Sequence, residues 1–166
     1  MKLERRKLYR IAAIVVGLVL FLAFYVEDWG RDFTSHTAEI SADESRAYLR
    51  PLLATPRSAP QMVEAAKMAA SRIRNWQFNG TSVTGDTTSL IFVRTNRLLR
   101  IKDDITIRLE DRGNEWALTG ESASRWEIGD LGRNPRNLKR FLLELQAVGV
   151  GSAHDPVLDD PRWSFE

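Results

Sequence analysis

The run IAAIVVGLVLFLAFYV, Ile11–Val26, has sixteen residues and no polar break. An amphipathic helix or a half-buried strand needs a polar face, and this run offers none. As a helix it spans ~24 Å, less than the ~30 Å hydrocarbon core of a bilayer. The flanks close the gap: Lys7 and Arg10 can snorkel to one headgroup layer, while Tyr25 and Trp29 suit the other. The basic cluster precedes the run and Glu27 and Asp28 come after it. The positive-inside tendency therefore keeps the N-terminus in the cytoplasm and exports everything after Trp29. A cleaved signal peptide has a similar layout. Two features oppose it here: the apolar stretch is long, and Ala23 is followed by Phe24 and Tyr25 rather than by a small-x-small site. The expectation is an uncleaved single-pass anchor within residues 1–29, in contact with the bilayer over residues 8–29.

That division changes how the charge is read. Lys2, Arg5, Arg6, Lys7 and Arg10 against Glu4 leave +4 in residues 1–10. The whole chain carries +2, so the remainder carries −2. A nucleic-acid partner needs a basic surface on the folded domain, so none is expected. The chain has no cysteine. A disulfide framework, a thiolate metal site and a cysteine nucleophile are thereby excluded.

Residues 30–57 read as a tether, broken by Pro51 and Pro56, with Tyr48, Leu49, Leu52 and Leu53 available to dock on the folded domain. That domain is expected over 58–148. Ser58-Ala59-Pro60-Gln61 has the form of a capping box, and Met62, Val63, Ala66, Ala69, Ala70 and Ile73 come next at helical spacing, which predicts a helix over 60–74. From Trp76 the period becomes two. NWQFNGTSV and TTSLIFVRT flank Gly85-Asp86, and DDITIRLE and EWALTGES flank Asp111-Arg112-Gly113-Asn114. With that four-residue loop, Leu109 faces Trp116, Ile107 faces Leu118, Ile105 faces Gly120 and Asp103 faces Ser122, so the apolar side chains gather on one face. A bulge near Gly120 would disturb this pairing. Asn134 as N-cap and Pro135 as first residue then open a second helix, with an apolar stripe of Leu138, Phe141, Leu142, Leu145 and Val148. The fold class expected is α+β: a transmembrane helix, then a two-layer sandwich of a four-stranded antiparallel sheet with two helices on one face. Residues 149–166 form a C-terminal tail.

The stretch ESASRWEIGDLGRNP, residues 121–135, is the densest polar cluster. In the expected register Asp103 lies at the edge of the helix-covered face and needs partners, since an unpaired buried carboxylate costs several kcal/mol. Ser122, Ser124, Arg125 and the backbone N–H groups near Gly132 are the candidates. The same register sets Asp104 opposite Glu121 on the open face. Lys102 and Arg108 lie within diagonal reach of that pair, and a bound cation is the sharper alternative. The helix N-terminus favours a carboxylate from Asp130 or Asp103. Two readings stay open: a polar clasp joining strand to helix, or an anion site built from the helix start with Arg125, Arg133 and Arg136. A catalytic reading is weak. Asp103 and Asp104 are adjacent on a strand and point to opposite faces. His36 and His154, the two histidines, fall in the tether and the tail. No metal-ligand spacing and no phosphate-binding glycine loop are present, so no cofactor is expected.

RIKDDITIRLE followed by ESASRWEIGDLGRN resembles the DUF1499 family, a bacterial and plastid family of unknown function. That family shows an aromatic-x-Asp-Asp strand, then RSASRxGxSDLGxN and a helix. Asp103, Asp104, Ser122, Ala123, Ser124, Arg125, Asp130, Leu131, Gly132 and Asn134 fall on the pattern, and the likeness covers roughly residues 50–147. Glu121, Glu127 and Gly129 depart from it, where the family has Arg, Gly and Ser, and a Cys-containing upstream segment is missing. The change at 121 removes an expected Asp104–Arg pair. The resemblance implies an exported or membrane-attached domain and no established reaction.

Three functional expectations result. The first is a non-catalytic accessory, assembly or scaffolding component in the bacterial inner membrane, with its domain on the periplasmic side and a protein partner in the envelope. The second is a module binding a small anion or lipid head group, centred on Arg125 and the helix start, with Asp103, Asp104, Ser122, Ser124, Arg125, Asp130, Gly132 and Asn134 as the ligand or clasp candidates. The third is a carboxylate-dependent hydrolase using Asp103 or Asp104.

Overall fold

The computed structural model describes residues 2–26, 28–41, 49, 52–54, 58–97, 100–113, 115–126 and 129–150. The tail beyond Val150, with His154, Trp163 and Phe165, lies outside the described residues, as do Tyr48, Pro51, Pro56, Asn114 and Glu127.

The apolar run lies in a helix, α1 (Lys2–Tyr25), whose large apolar side chains from Leu8 to Phe21, and Phe24, are exposed. Within it, an 18-residue window of Arg5–Phe24 has a mean hydropathy of 2.1 and none of that window is buried. It is long and apolar enough to cross a membrane, a property a signal sequence shares. A short helix α2 (Trp29–Thr34) comes next. The Asp28 carboxylate caps it by accepting from the Arg31 N–H at 3.0 Å, and Trp29 stacks on Phe33 one turn later at 5.4 Å.

The remaining elements are β1 (Thr37–Ile40), β2 (Leu52–Ala54), α3 (Ala59–Arg72), β3 (Trp76–Thr84), β4 (Thr87–Thr95), β5 (Lys102–Asp111), β6 (Trp116–Ser124) and α4 (Arg133–Ala147). The sheet runs β1-β6-β5-β4-β3, entirely antiparallel, and β2 pairs with β6 beside β1. Among the described residues it therefore has six strands rather than the four expected. The two extra strands come from the segment read as a tether, so at least these parts of residues 30–57 belong to the domain. Strands of four and three residues are too short to show a period of two. Their partners lie far along the chain, as in Thr37 opposite Ala123.

Helix α3 starts where the capping box placed it, with the Ser58 N–H donating to Gln61 Oε1 at 3.1 Å. Its buried stripe is Met62, Ala65, Ala66, Ala69 and Ala70, small side chains that let the helix lie close to the sheet. Helix α4 presents Leu138, Phe141, Leu142 and Leu145 to the same face. Between the layers, Phe141 lies parallel to Trp76 at 5.8 Å, and Phe92 tilts against both. From β5 come Ile105, Ile107 and Leu109, all fully buried. Each contributes roughly 1.5–3 kcal/mol by leaving water.

The β5–β6 pairing differs from expectation by two residues. Leu109 faces Leu118, Ile107 faces Gly120, Ile105 faces Ser122 and Asp103 faces Ser124, because pairing continues to Asp111 opposite Trp116. The Asp111 carboxylate accepts the Gly113 N–H at 2.8 Å, with Gly113 at φ +81°, and the Arg112 N–H donates to Glu115 O at 3.0 Å. That local turn moves the loop towards the C-terminus. A slip of two keeps every side chain on its expected face, so the inside/outside assignment survives while the partners change. No bulge occurs at Gly120, and the irregularity lies in β3 between Phe78 and Gly80. Gly120 has a packing reason instead: a Cβ there would lie 3.0 Å from Ile107 Cδ1 and 3.1 Å from Thr106 O.

Candidate functional site

The register sends Asp103 under the helices and Asp104 to the open face. Asp103 has no exposed surface. The Arg133 guanidinium grips it as a fork, Nε to Oδ2 at 3.0 Å and Nη2 to Oδ1 at 2.9 Å. Asn137 Nδ2 and Arg94 Nη1 donate to the same Oδ2 at 3.2 and 3.4 Å. The fork also reaches Ser124 Oγ at 2.8 Å. A buried carboxylate is tolerated when its lone pairs are filled in this way.

A second chain of bonds ties β6 to α4. Ser122 Oγ donates to Asn134 Oδ1 at 2.6 Å and accepts from Asn137 Nδ2 at 3.2 Å. Asn134 Nδ2 then donates to the His36 carbonyl at 2.6 Å, and that carbonyl also accepts the Ser124 N–H at 2.8 Å. Residues 36, 122, 124 and 134 thereby join the strand β1 edge, β6 and α4.

The helix start differs from expectation. Asn134 is not the N-cap; Gly132 holds that position at φ +74°. The capping carboxylate is that of Asp130, which accepts the Gly132 N–H at 2.8 Å and the Asn134 N–H at 2.9 Å. Left-handed backbone at Leu131 and Gly132 folds the chain back so that Asp130 reaches these donors. Once the cap is supplied from two residues before Gly132, the Asn134 side chain is released to bind Ser122. Burial is the main cause raising the Asp130 carboxyl above the ordinary aspartate range, and the two N–H groups and Arg133 oppose it.

Asp104 and Arg125 lie apart from this cluster. Arg125 Nε donates to Asp104 Oδ2 at 2.8 Å and Nη2 to Oδ1 at 2.7 Å, with both side chains about half exposed. The hydrogen bond from Arg125 holds the Asp104 carboxyl below its usual range, and Asp104 raises Arg125 in return. Asp104 faces Ala123, and Glu121 faces Thr106 and pairs with Arg108 at 3.3 Å. The opposed carboxylates that suggested a cation therefore do not occur. The Asp104–Arg pair thought lost with Glu121 is supplied by Arg125.

Of the eight candidate residues, the structure brings together Asp103, Ser122, Ser124, Asp130, Gly132 and Asn134, and it places Asp104 and Arg125 on the opposite face. Sequence reasoning missed Arg133 as the partner of Asp103, and with it Arg94, Asn137 and the His36 carbonyl. One signal was available: Asn134 and Asn137 sit on the buried side of a helix otherwise faced with Leu138 and Phe141, where unpartnered amides would be costly. Among the described residues no group of three or more His, Asp or Glu could hold a metal ion.

The family model DUF1499, described as a protein of unknown function, matches residues 31–145. No curated protein matches the sequence.

Proposed function

The chain belongs to the DUF1499 family, and on that premise we propose that it is a single-pass, membrane-anchored domain that binds another envelope component without catalysing a reaction. The N-terminus stays in the cytoplasm of a bacterial cell and the α+β domain faces the exported side. The observation that supports a non-catalytic role is the fate of Asp103. It is fully buried and gripped by Arg133, so the cluster at 103–134 serves as a clasp between sheet and helix. Asp104 points the other way and is tied by Arg125, which leaves the two carboxylates no common substrate. The uncovered apolar α1 supports anchoring, and the basic residues before it support the orientation.

Two measurements test this. A C-terminal reporter that is active only after export, with the chain retained in membranes washed at alkaline pH, supports the topology; activity only in the cytoplasm refutes it. Native mass spectrometry of the full chain, gently extracted from its own membrane, tests the role. A protein partner surviving extraction supports an accessory subunit. A lone chain carrying a small adduct supports the ligand-binding form of the reading.

A further inference from the structure

A groove of about 390 Å³ opens where the end of α3, the end of β4 and the first turns of α4 meet. Its cationic wall consists of Arg72, Arg74, Arg94, Arg133, Arg136 and Arg140, and among the described residues no lysine and no carboxylate lines it. Arg133, Arg136 and Arg140 are spaced three and four apart, so one face of α4 delivers them together.

Among the described residues the charges are only partly answered. Asp103 lies beneath the groove on Arg133 and Arg94, and Glu144 pairs with Arg140 at 2.6 Å. The Asp32 carboxylate, which crowds Gly132 from the same side as Arg136 Nη1, is a third. Among the described residues, six guanidinium groups stand against three carboxylates, an excess of three positive charges. Arg72 and Arg74 are exposed and have no carboxylate partner among the described residues. Gathering like charges on a concave wall focuses a field that draws in anions. Arginine rather than lysine suits planar forks onto phosphate oxygens. A phosphate monoester carries about two negative charges and a phosphodiester about one, so a single phosphate leaves part of the excess unanswered and a second comes closer to it. The volume falls within the ~300–1,000 Å³ range of small-ligand sites.

We propose that this groove binds a ligand bearing two phosphate groups, as a free diphosphate compound or as the paired phosphates of a lipid head group. The proposal names a ligand class for the binding role given above and rests on that role. Its failure is separable, because reporter topology and membrane retention do not depend on the groove. The groove differs from the expected anion site in its members: Arg133 and Arg136 line it, and Arg125 does not.

The test uses the full chain in phosphatidylcholine nanodiscs, titrated with inorganic pyrophosphate by calorimetry at low and at raised salt. Saturable binding that weakens with salt is expected. The double variant Arg72→Gln, Arg74→Gln should bind about tenfold or more weakly while melting like the wild type. Arg125→Gln should bind unchanged. If pyrophosphate does not bind, nanodiscs containing cardiolipin, a lipid with two phosphates, form the second arm. A rise in melting temperature in the wild type but not in the double variant assigns the lipid source. No response in either arm overturns the proposal, and so does a response that the double variant retains in full or that Arg125→Gln loses equally.

Discussion

Replacing Asp103 by Asn keeps the shape of the side chain and removes the charge. The two oxygens that receive Arg133 become one oxygen and one amide nitrogen, so Arg133 loses half its fork and faces a donor. Arg133 is only 14% exposed, so water restores little of what is lost. Breaking a buried pair by removing one partner costs about 3–5 kcal/mol, because the remaining charge stays desolvated. For a domain of roughly 115 residues, taken as the family match, 1 kcal/mol corresponds to about 4 °C in Tm, so a fall of about 12–20 °C is expected. Thermal and urea melts of the full chain in detergent, followed by far-UV circular dichroism, would read this directly. The companion is Arg133→Gln combined with Asp103→Asn. If the ion pair is the source of the loss, the double variant should fall well short of the sum of the single losses, with a coupling of at least ~1 kcal/mol. A single variant that melts within about 2 °C of the wild type, or two losses that simply add, would refute the clasp.

Gly132→Ala should destabilise by at least ~1–2 kcal/mol, since φ is +74° and the new Cβ would lie 2.5 Å from Asp32 Oδ2, and a urea melt checks it. Gly129→Ser would drive its Cβ into the Phe33 backbone, so limited proteolysis should show α2 released from the domain. The pH response should have two opposed components. Asp104 has a lowered folded pKa, so its pairing contributes in full above the ordinary aspartate value of ~3.9 and is lost as pH falls through the lower folded value; Asp104→Asn should flatten that acid limb. Asp130 has a raised folded pKa, so its contribution is complete below ~3.9 and declines as pH rises through the folded value; the stability of Asp130→Asn should lack that decline.

Much of the architecture could be read because the periods are strong. The apolar run of α1, the capping box of α3, the Gly85-Asp86 turn and the alternation of Ile105, Ile107 and Leu109 are local signals, and the structure reproduces each of them. What escaped was non-local. Strands β1 and β2 carry three or four residues each and are defined by β6, more than 60 positions away in each case. The partner of Asp103 escaped for a related reason. Arg125 is nearer in sequence, but Arg125 leaves β6 on the open side, whereas Arg133 approaches from the helix layer. Choosing between them required knowing that the chain reverses at Leu131 and Gly132, and left-handed backbone at a leucine has no sequence signature of its own.

The clasp and the groove share one residue, and that sharing sets how the surface is built. Arg133 lies at the seam, bound below by Asp103 and Ser124 and exposed to the groove by a small part of its surface. A guanidinium held on three fixed acceptor atoms, both Asp103 oxygens and Ser124 Oγ, has little rotamer freedom left to lose, so an anion meeting it encounters an ordered donor rather than a mobile arm. The same fork fixes the first turn of α4, and with it the direction in which Arg136 and Arg140 project one and two turns later. Arg72 and Arg74 come from the other wall, at the end of α3, and carry the freely available charge. Buried polar residues that look like a site in the sequence thus act as its foundation. The surface proposed to meet a ligand is made of arginines whose spacing in α4 and at the end of α3 carries no familiar motif.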